Sequence, residues 1–365
     1  MRRTTCLFVL SAGLWIAAAQ PSWKKVWRPV GLAGGGAMFS AGGSPHDPRV
    51  MMISCDMSGA YLSHDGGRTW TMIHHRELRG CVYCRPLFHP TKPLVIYSPS
   101  GWQGRLKVTR DGGLSWRPFA EGAPFRGRVS GLFLSRSGGF FVCTDSGLWV
   151  GDETGVKWRR AQGVSGRFLN MLADARIPGR FYIGTENGVF MSDDGGKTFT
   201  SVSRGLPADK LTAFAGGSNR KETILYAACP CGVRNGKLTG GLYCSRDGGR
   251  TWRRIMNPDI NVQTRRSSRW AHGDVPRYLF LCTTSKEPSR VYVYCTGTSY
   301  YPPNHSTVYR SDDAGRTWRA VFFSDPRFKG LYNVEDDRLT LSIGQRYRIS
   351  RSASQSTPVT PTPSL

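Results

Sequence analysis

The chain has 365 residues, 39% of them hydrophobic, enough for a large core in one or two domains. Its 44 glycines and 22 prolines exclude an architecture of long helices, and 11 Trp, 14 Tyr and 17 Phe suit strands. A formal net charge of +25, from 50 Lys and Arg scattered rather than in blocks, points to an anionic partner or to a well-solvated, arginine-rich surface.

The first element is an export signal over residues 1–19. A positive start, Met1-Arg2-Arg3, leads into the short apolar run "CLFVLSAGLWIAAA", and Ala17-Ala18-Ala19 offers the cleavage site. The run is short for a membrane span, and no later segment is long and apolar enough for one, so a secreted or periplasmic location is expected. Export, with no nucleic-acid motif in view, turns the expected partner away from nucleic acid. Acidic glycans, cell-wall polymers and anionic surfaces are better candidates. Nine cysteines remain after the signal, at 55, 81, 84, 143, 229, 231, 244, 282 and 295. An odd count leaves at least one unpaired. "CVYC" (81–84) has a zinc-like spacing but "CPC" (229–231) does not, so disulfides or buried thiols are expected and no metal.

From residue 20 to 349 the chain is organised by a repeat. "SHDGGRTW" (63–70) recurs as "TRDGGLSW" (109–116), "SDDGGKTF" (192–199), "SRDGGRTW" (245–252) and "SDDAGRTW" (311–318), with a degenerate copy "GDETGVKW" (151–158). Upstream of the copies come a proline loop, an apolar strand, a polar turn and a short alternating strand such as "GAYLS", "GLWVG" or "GLYCS". Units of roughly forty to fifty residues built from short strands have the period of propeller blades, and a longer gap before the last box implies an insertion. In each box the aspartate can accept turn amides, the glycines supply positive φ, and the closing Trp or Phe can pack between sheets. Asp65, Asp111, Asp194, Asp247 and Asp313 are therefore expected to be structural. Six boxes give six blades. A seventh is expected from a first strand near residues 23–30 and strands after 320, with the last blade open to being incomplete. The fold class is all-β.

These boxes resemble the Asp-box, or BNR, repeat of sialidases, xyloglucanase-type glycoside hydrolases, sortilin-like receptors and photosystem assembly factors, all β-propellers. Residues 30–63, "VGLAGGGAMFSAGGSPHDPRVMMISCDMSGAYLS", resemble the start of the xyloglucanase-type enzymes, where a strand leads into T-D-x-G-G-A-Y. The resemblance implies that Asp56 is a catalytic base, with Cys55 for the Thr and Ser58 for a Gly as departures. Anchored on Gly59, Gly147 and Gly188, Asp56 falls opposite Thr144 and Thr185, so the repeat does not itself demand a carboxylate there. An aspartate held by an arginine is the competing reading. Hydrolysis needs a second carboxyl group. In the xyloglucanase-type enzymes it comes from a second propeller, which this chain is expected to lack; the cluster Glu335, Asp336 and Asp337 reads as an exposed turn. "ARIP" (175–178) mimics a sialidase motif but sits in a proline loop of the repeat, and no arginine triad stands out in the sequence. Trp102 and Trp270, outside the boxes, are candidates for stacking on sugars.

The tail "SRSASQSTPVTPTPSL" (350–365) reads as disordered. Two functions stand: a secreted glycoside hydrolase of the xyloglucanase or sialidase-like type, which the expected lack of a second propeller would leave inactive, or a non-catalytic propeller that binds protein or glycan. The expected partner is a polysaccharide or glycan, an anionic one included. No cofactor is expected, and the sequence fixes no oligomeric state.

Overall fold

The computed structural model describes residues 38–323, except 58, 102–103, 208–209, 235–236, 257–261, 264–276 and 297–305, and also 340–342 and 349–350. Each box-bearing unit forms its own four-stranded antiparallel sheet. Blade one holds β1 (Met38–Gly43), β2 (Met51–Cys55), β3 (Ala60–Ser63) and β4 (Thr71–Met72). Blade two holds β5 (Leu87–Phe88), β6 (Ile96–Ser100), β7 (Arg105–Thr109) and β8 (Arg117–Pro118). Blade three holds β9 (Val129–Leu134), β10 (Gly139–Thr144), β11 (Gly147–Asp152) and β12 (Trp158–Arg160). Blade four holds β13 (Phe168–Ala173), β14 (Phe181–Thr185), β15 (Gly188–Ser192) and β16 (Thr200–Ser201). Blade five holds β17 (Ala213–Ser218), β18 (Thr223–Arg234), β19 (Lys237–Ser245) and β20 (Arg253–Met256). After the short β21 (Val262–Gln263), blade six holds β22 (Arg277–Thr283), β23 (Val291–Thr296), β24 (Ser306–Ser311) and β25 (Arg319–Phe323).

The described residues thus form a six-bladed β-propeller, and the expected seventh blade is corrected to none. The strands after 320 that were to build it, β26 (Thr340–Ser342) and β27 (Ile349–Ser350), instead form a small sheet with β21, which pairs with β26 in parallel. Residues 1–37, with the expected signal and first strand, and 351–365, the expected tail except Ser350 at the end of β27, lie outside the described residues. Among the described residues no helix is long and apolar enough to cross a membrane.

The first strands of the blades touch one another in order around the centre: β1, β5, β9, β13, β17 and β22. Close approach there demands glycine. A Cβ on Gly131 of β9 would stand 2.1 Å from the ring of Phe168 on β13, and one on Gly184 of β14 would stand 2.1 Å from Phe214 of β17. The core lies between the sheets. Between blades two and three Tyr97 meets Phe119 and Phe140 edge-on, each with centroids 4.9 Å apart, and the two phenylalanines are tilted against each other at 5.3 Å. The box tryptophans tie neighbours together. Trp252 of blade five donates to the Val202 carbonyl after blade four at 2.9 Å, and Trp318 of blade six donates to the Ile255 carbonyl of blade five at 3.0 Å.

Candidate functional site at the hairpin end

Each blade has two ends. The box joins its third and fourth strands at one end. The hairpin joining the second and third strands turns at the other, and the linkers to the next blade run past it.

At the box end the aspartates are consumed by their own turns. Ser63 donates to Asp65 at 2.9 Å while its oxygen accepts the Gly67 amide at 2.8 Å. The Thr69 hydroxyl and amide and the Arg68 amide donate to the same carboxylate at 2.7–3.0 Å. The hydroxyl and amide of Thr69 hold Asp65 well below the usual carboxylate range, and the residue pairs Ser115/Asp111 and Thr198/Asp194 repeat this. Burial pushes Asp247 and Asp313 up, but the bonds from Thr251 and Thr317 outweigh it, and Asp313 comes to about 2. The degenerate box of blade three diverges. Its Glu153 reaches blade two, where it pairs with Lys92 and with His89 Nε2 at 3.0 Å. His89 Nδ1 accepts the Thr91 and Lys92 amides, both at 3.0 Å, so the proton sits on Nε2 and is donated to Glu153.

At the hairpin end, strand register places the candidate base. Ser54 pairs with Ala60, and the Cys55 amide donates to the Gly59 carbonyl at 2.8 Å. In blades three and four the corresponding last pairs are Thr144 with Gly147 and Thr185 with Gly188. The first strands agree, for Met38 pairs with Cys55, Val129 with Thr144 and Phe168 with Thr185. Cys55, not Asp56, is therefore the counterpart of the two threonines. Asp56 is the counterpart of Asp145 and Glu186. The turn in blade one is one residue longer, 56–58 against 145–146, and a gapless alignment hides the extra residue. The same register position is Gly101 in blade two, Pro230 in blade five and Thr296 in blade six.

Three blades thus carry a carboxylate at one register position, but in different settings. Asp145 accepts the Arg128 amide at 3.1 Å and lies 3.8 Å from its guanidinium, while the Glu186 carboxylate lies 3.7 Å from Arg167 Nε. Each arginine immediately precedes the first strand of its blade. In blade one the residue before β1 lies outside the described residues. Asp56 is half-buried, and the Cys55 thiol donates to its Oδ1 at 3.4 Å.

The linker after blade one braces this turn. A Cβ on Gly80 would stand 2.2 Å from the Gly59 carbonyl oxygen, so only glycine lets the linker lie so close. The Cys81 amide donates to Ser54 Oγ at 3.2 Å. One residue earlier, Arg79 donates its amide to Ser100 Oγ at 3.1 Å and accepts the Gly101 amide at 3.2 Å. Tyr83, also on this linker, carries the Arg128 guanidinium 4.2 Å above its ring. Sequence reasoning missed Arg79 and the two arginine clasps. The clasps did leave a signal, since "GRVSG" and "GRFLN" open blades three and four where blade one has "GAMFS".

The sequence candidates Trp102 and Trp270 lie outside the described residues. None of the nine described cysteines is in a disulfide, and most of them are buried. Burial pushes Cys143 up to about 11 and Cys229 to about 12. Among the described residues no three of His, Cys, Asp or Glu converge as a metal site requires. A shallow groove lined by Asp152, Lys157, Trp158 and Gly195 lies at the box end of blade three, away from Asp56.

Comparison with known proteins agrees with this architecture. The family model described as a DUF6242 beta propeller domain matches residues 92–334, and the BNR/Asp-box repeat matches 61–72. An oligoxyloglucan-reducing end-specific xyloglucanase of Emericella nidulans is 24% identical over 273 residues, which are 67% of this chain and 31% of that protein. A xyloglucanase of Hypocrea jecorina is 29% identical over 120 residues, 32% of this chain and 14% of that one. The chain therefore spans about a third or less of these relatives. Among solved structures, the Niastella koreensis GH74 enzyme is similar with a TM-score of 0.58 at 17% identity, covering 79% of this chain and 46% of that one. A structure of YCF48 bound to D1 peptide is similar with a TM-score of 0.52 at 15% identity, covering 78% and 81%.

Proposed function

We propose that this chain, which belongs to the DUF6242 beta-propeller family, is an exported carbohydrate-active propeller of glycoside hydrolase type, with Asp56 as its general base. The observation that carries this reading is the setting of Asp56. It stands in a lengthened, glycine-braced turn, at the register where two other blades also hold carboxylates, and on the motif that resembles the one holding the base in xyloglucanase-type enzymes. A half-buried carboxylate in such a turn can take a proton from water. Similarity to xyloglucanases supports a polysaccharide as the partner. Hydrolysis also needs a general acid. Asp145 and Glu186, ion-paired, do not suit that role, and no residue is assigned to it.

Release of reducing ends from a polysaccharide panel by the wild type and Asp56→Asn tests the reading. We expect release by the wild type and a loss of at least about a hundredfold in the variant. Equal release by both, or none by either, sinks the catalytic role. A second reading, a non-catalytic propeller that binds protein or glycan, is favoured by one observation. The fold aligns over 81% of the YCF48 chain, where it makes up most of the protein, against 46% of the GH74 enzyme.

A further inference from the structure

The charges of the propeller are divided between its ends. Among the described residues, only Asp56, Glu77, Glu121, Asp145 and Glu186 are acidic at the hairpin end; the other acidic residues sit in box turns or in the loops between first and second strands. Asp145 and Glu186 face Arg128 and Arg167, and Glu77 accepts the Trp116 amide at 2.7 Å.

The arginines of this end are not matched in the same way. Arg79, Arg105, Arg160 and Arg204 are exposed there, and among the described residues none has a carboxylate within ion-pair distance. Two of them sit directly on hairpins. The Arg160 guanidinium lies over Gly147, whose Cβ would stand 3.1 Å from Nε. The Arg79 side chain lies 3.6–3.7 Å from where a Cβ on Gly101 would be. Gly101 occupies the register of Asp56, Asp145 and Glu186. Blades three and four fill that register with a carboxylate beside an arginine. Blade two keeps an arginine there and offers no carboxylate of its own.

We propose that the hairpin end recognises an acidic polysaccharide, with Arg79 and Arg160 pairing the carboxylates of its uronate sugars beside Asp56. The inference rests on the reading of Asp56 as a carbohydrate site and adds the substrate class to it. Guanidinium groups suit carboxylates because their planar donors match two oxygens at once. The Arg160 guanidinium at the hairpin of blade three and the Arg79 stem against that of blade two put two arginines on neighbouring blades, which fits a repeating chain of charged sugars laid across them.

The test is equilibrium binding of polygalacturonate, with neutral xyloglucan and duplex DNA as comparisons. The proteins are the wild type, Arg79→Ala/Arg160→Ala, and Arg68→Ala/Arg250→Ala, which removes the same charge from exposed box turns. We expect the wild type to prefer polygalacturonate. The hairpin-end pair should weaken binding by about tenfold or more, the box-end pair by less than about twofold, and Asp56→Asn should still bind. Equal loss in both double variants, or duplex DNA bound as tightly, reduces the effect to bulk charge and overturns the inference. Preference for xyloglucan overturns it while leaving the Asp56 reading intact. Uronate binding by all but the hairpin-end pair, with cleavage unaffected by Asp56→Asn, upholds the surface and removes the base.

Discussion

At the scale of single residues, chemistry is decided by what already holds a carboxylate. Asp65 and Asp56 are nine positions apart, at opposite ends of β3. Asp65 has its hydrogen-bonding capacity filled by Ser63, Arg68 and Thr69. The repetition of S-x-D-x-G-x-T-W made that legible, because a group that recurs in every unit serves the unit. The setting of Asp313 makes a pH prediction. Its folded pKa is about 2 against 3.8 for the free side chain, so its contribution is fully present above about pH 5 and is lost as pH falls through about 2. Asp313→Asn should cost about 1–3 kcal/mol at pH 7, and the gap to wild type should narrow steadily below pH 4 in chemical denaturation. A gap that stays constant down to pH 2 would mean that the ionised carboxylate does not hold the turn.

At the scale of elements, blade edges are set by glycine and by hairpin length. Gly131 on β9 meets Phe168 of the next blade, with no room for a methyl group. Gly131→Ala should destabilise by about 1–3 kcal/mol through overpacking, whereas Gly122→Ala, in open space on a linker, should stay within about 0.5 kcal/mol. Equal melting temperatures for the two variants would contradict the interface. Hairpin length was the part of the site that could not be read from the chain. An alignment anchored on Gly59 and Gly147 counts back the same number of residues in each blade and sets Asp56 against Thr144. Only the strand pairing shows that blade one carries an extra turn residue and that Cys55 is the threonine's counterpart. The arginines of the clasps lie 17 and 19 residues before their carboxylates, Arg128 before Asp145 and Arg167 before Glu186, and folding alone brings them together.

At the scale of the molecule, six boxes make six blades, and the count of boxes was the better guide than the expectation of a seventh. Fold was legible because periodicity repeats six times. The candidate site was legible only in part, because it depends on one blade differing from the others. That difference sorts the propeller into a box end where carboxylates hold turns and a hairpin end where arginines outnumber them. The central claim is that Asp56, alone of the three carboxylates at this register, acts as a base. Its most direct test compares Asp56→Asn, Asp145→Asn and Glu186→Gln for both thermal stability and release of reducing ends. The account predicts that Asp56→Asn stays folded and loses release, while Asp145→Asn and Glu186→Gln retain release in proportion to folded protein. It is contradicted if folded Asp56→Asn releases sugar as the wild type does.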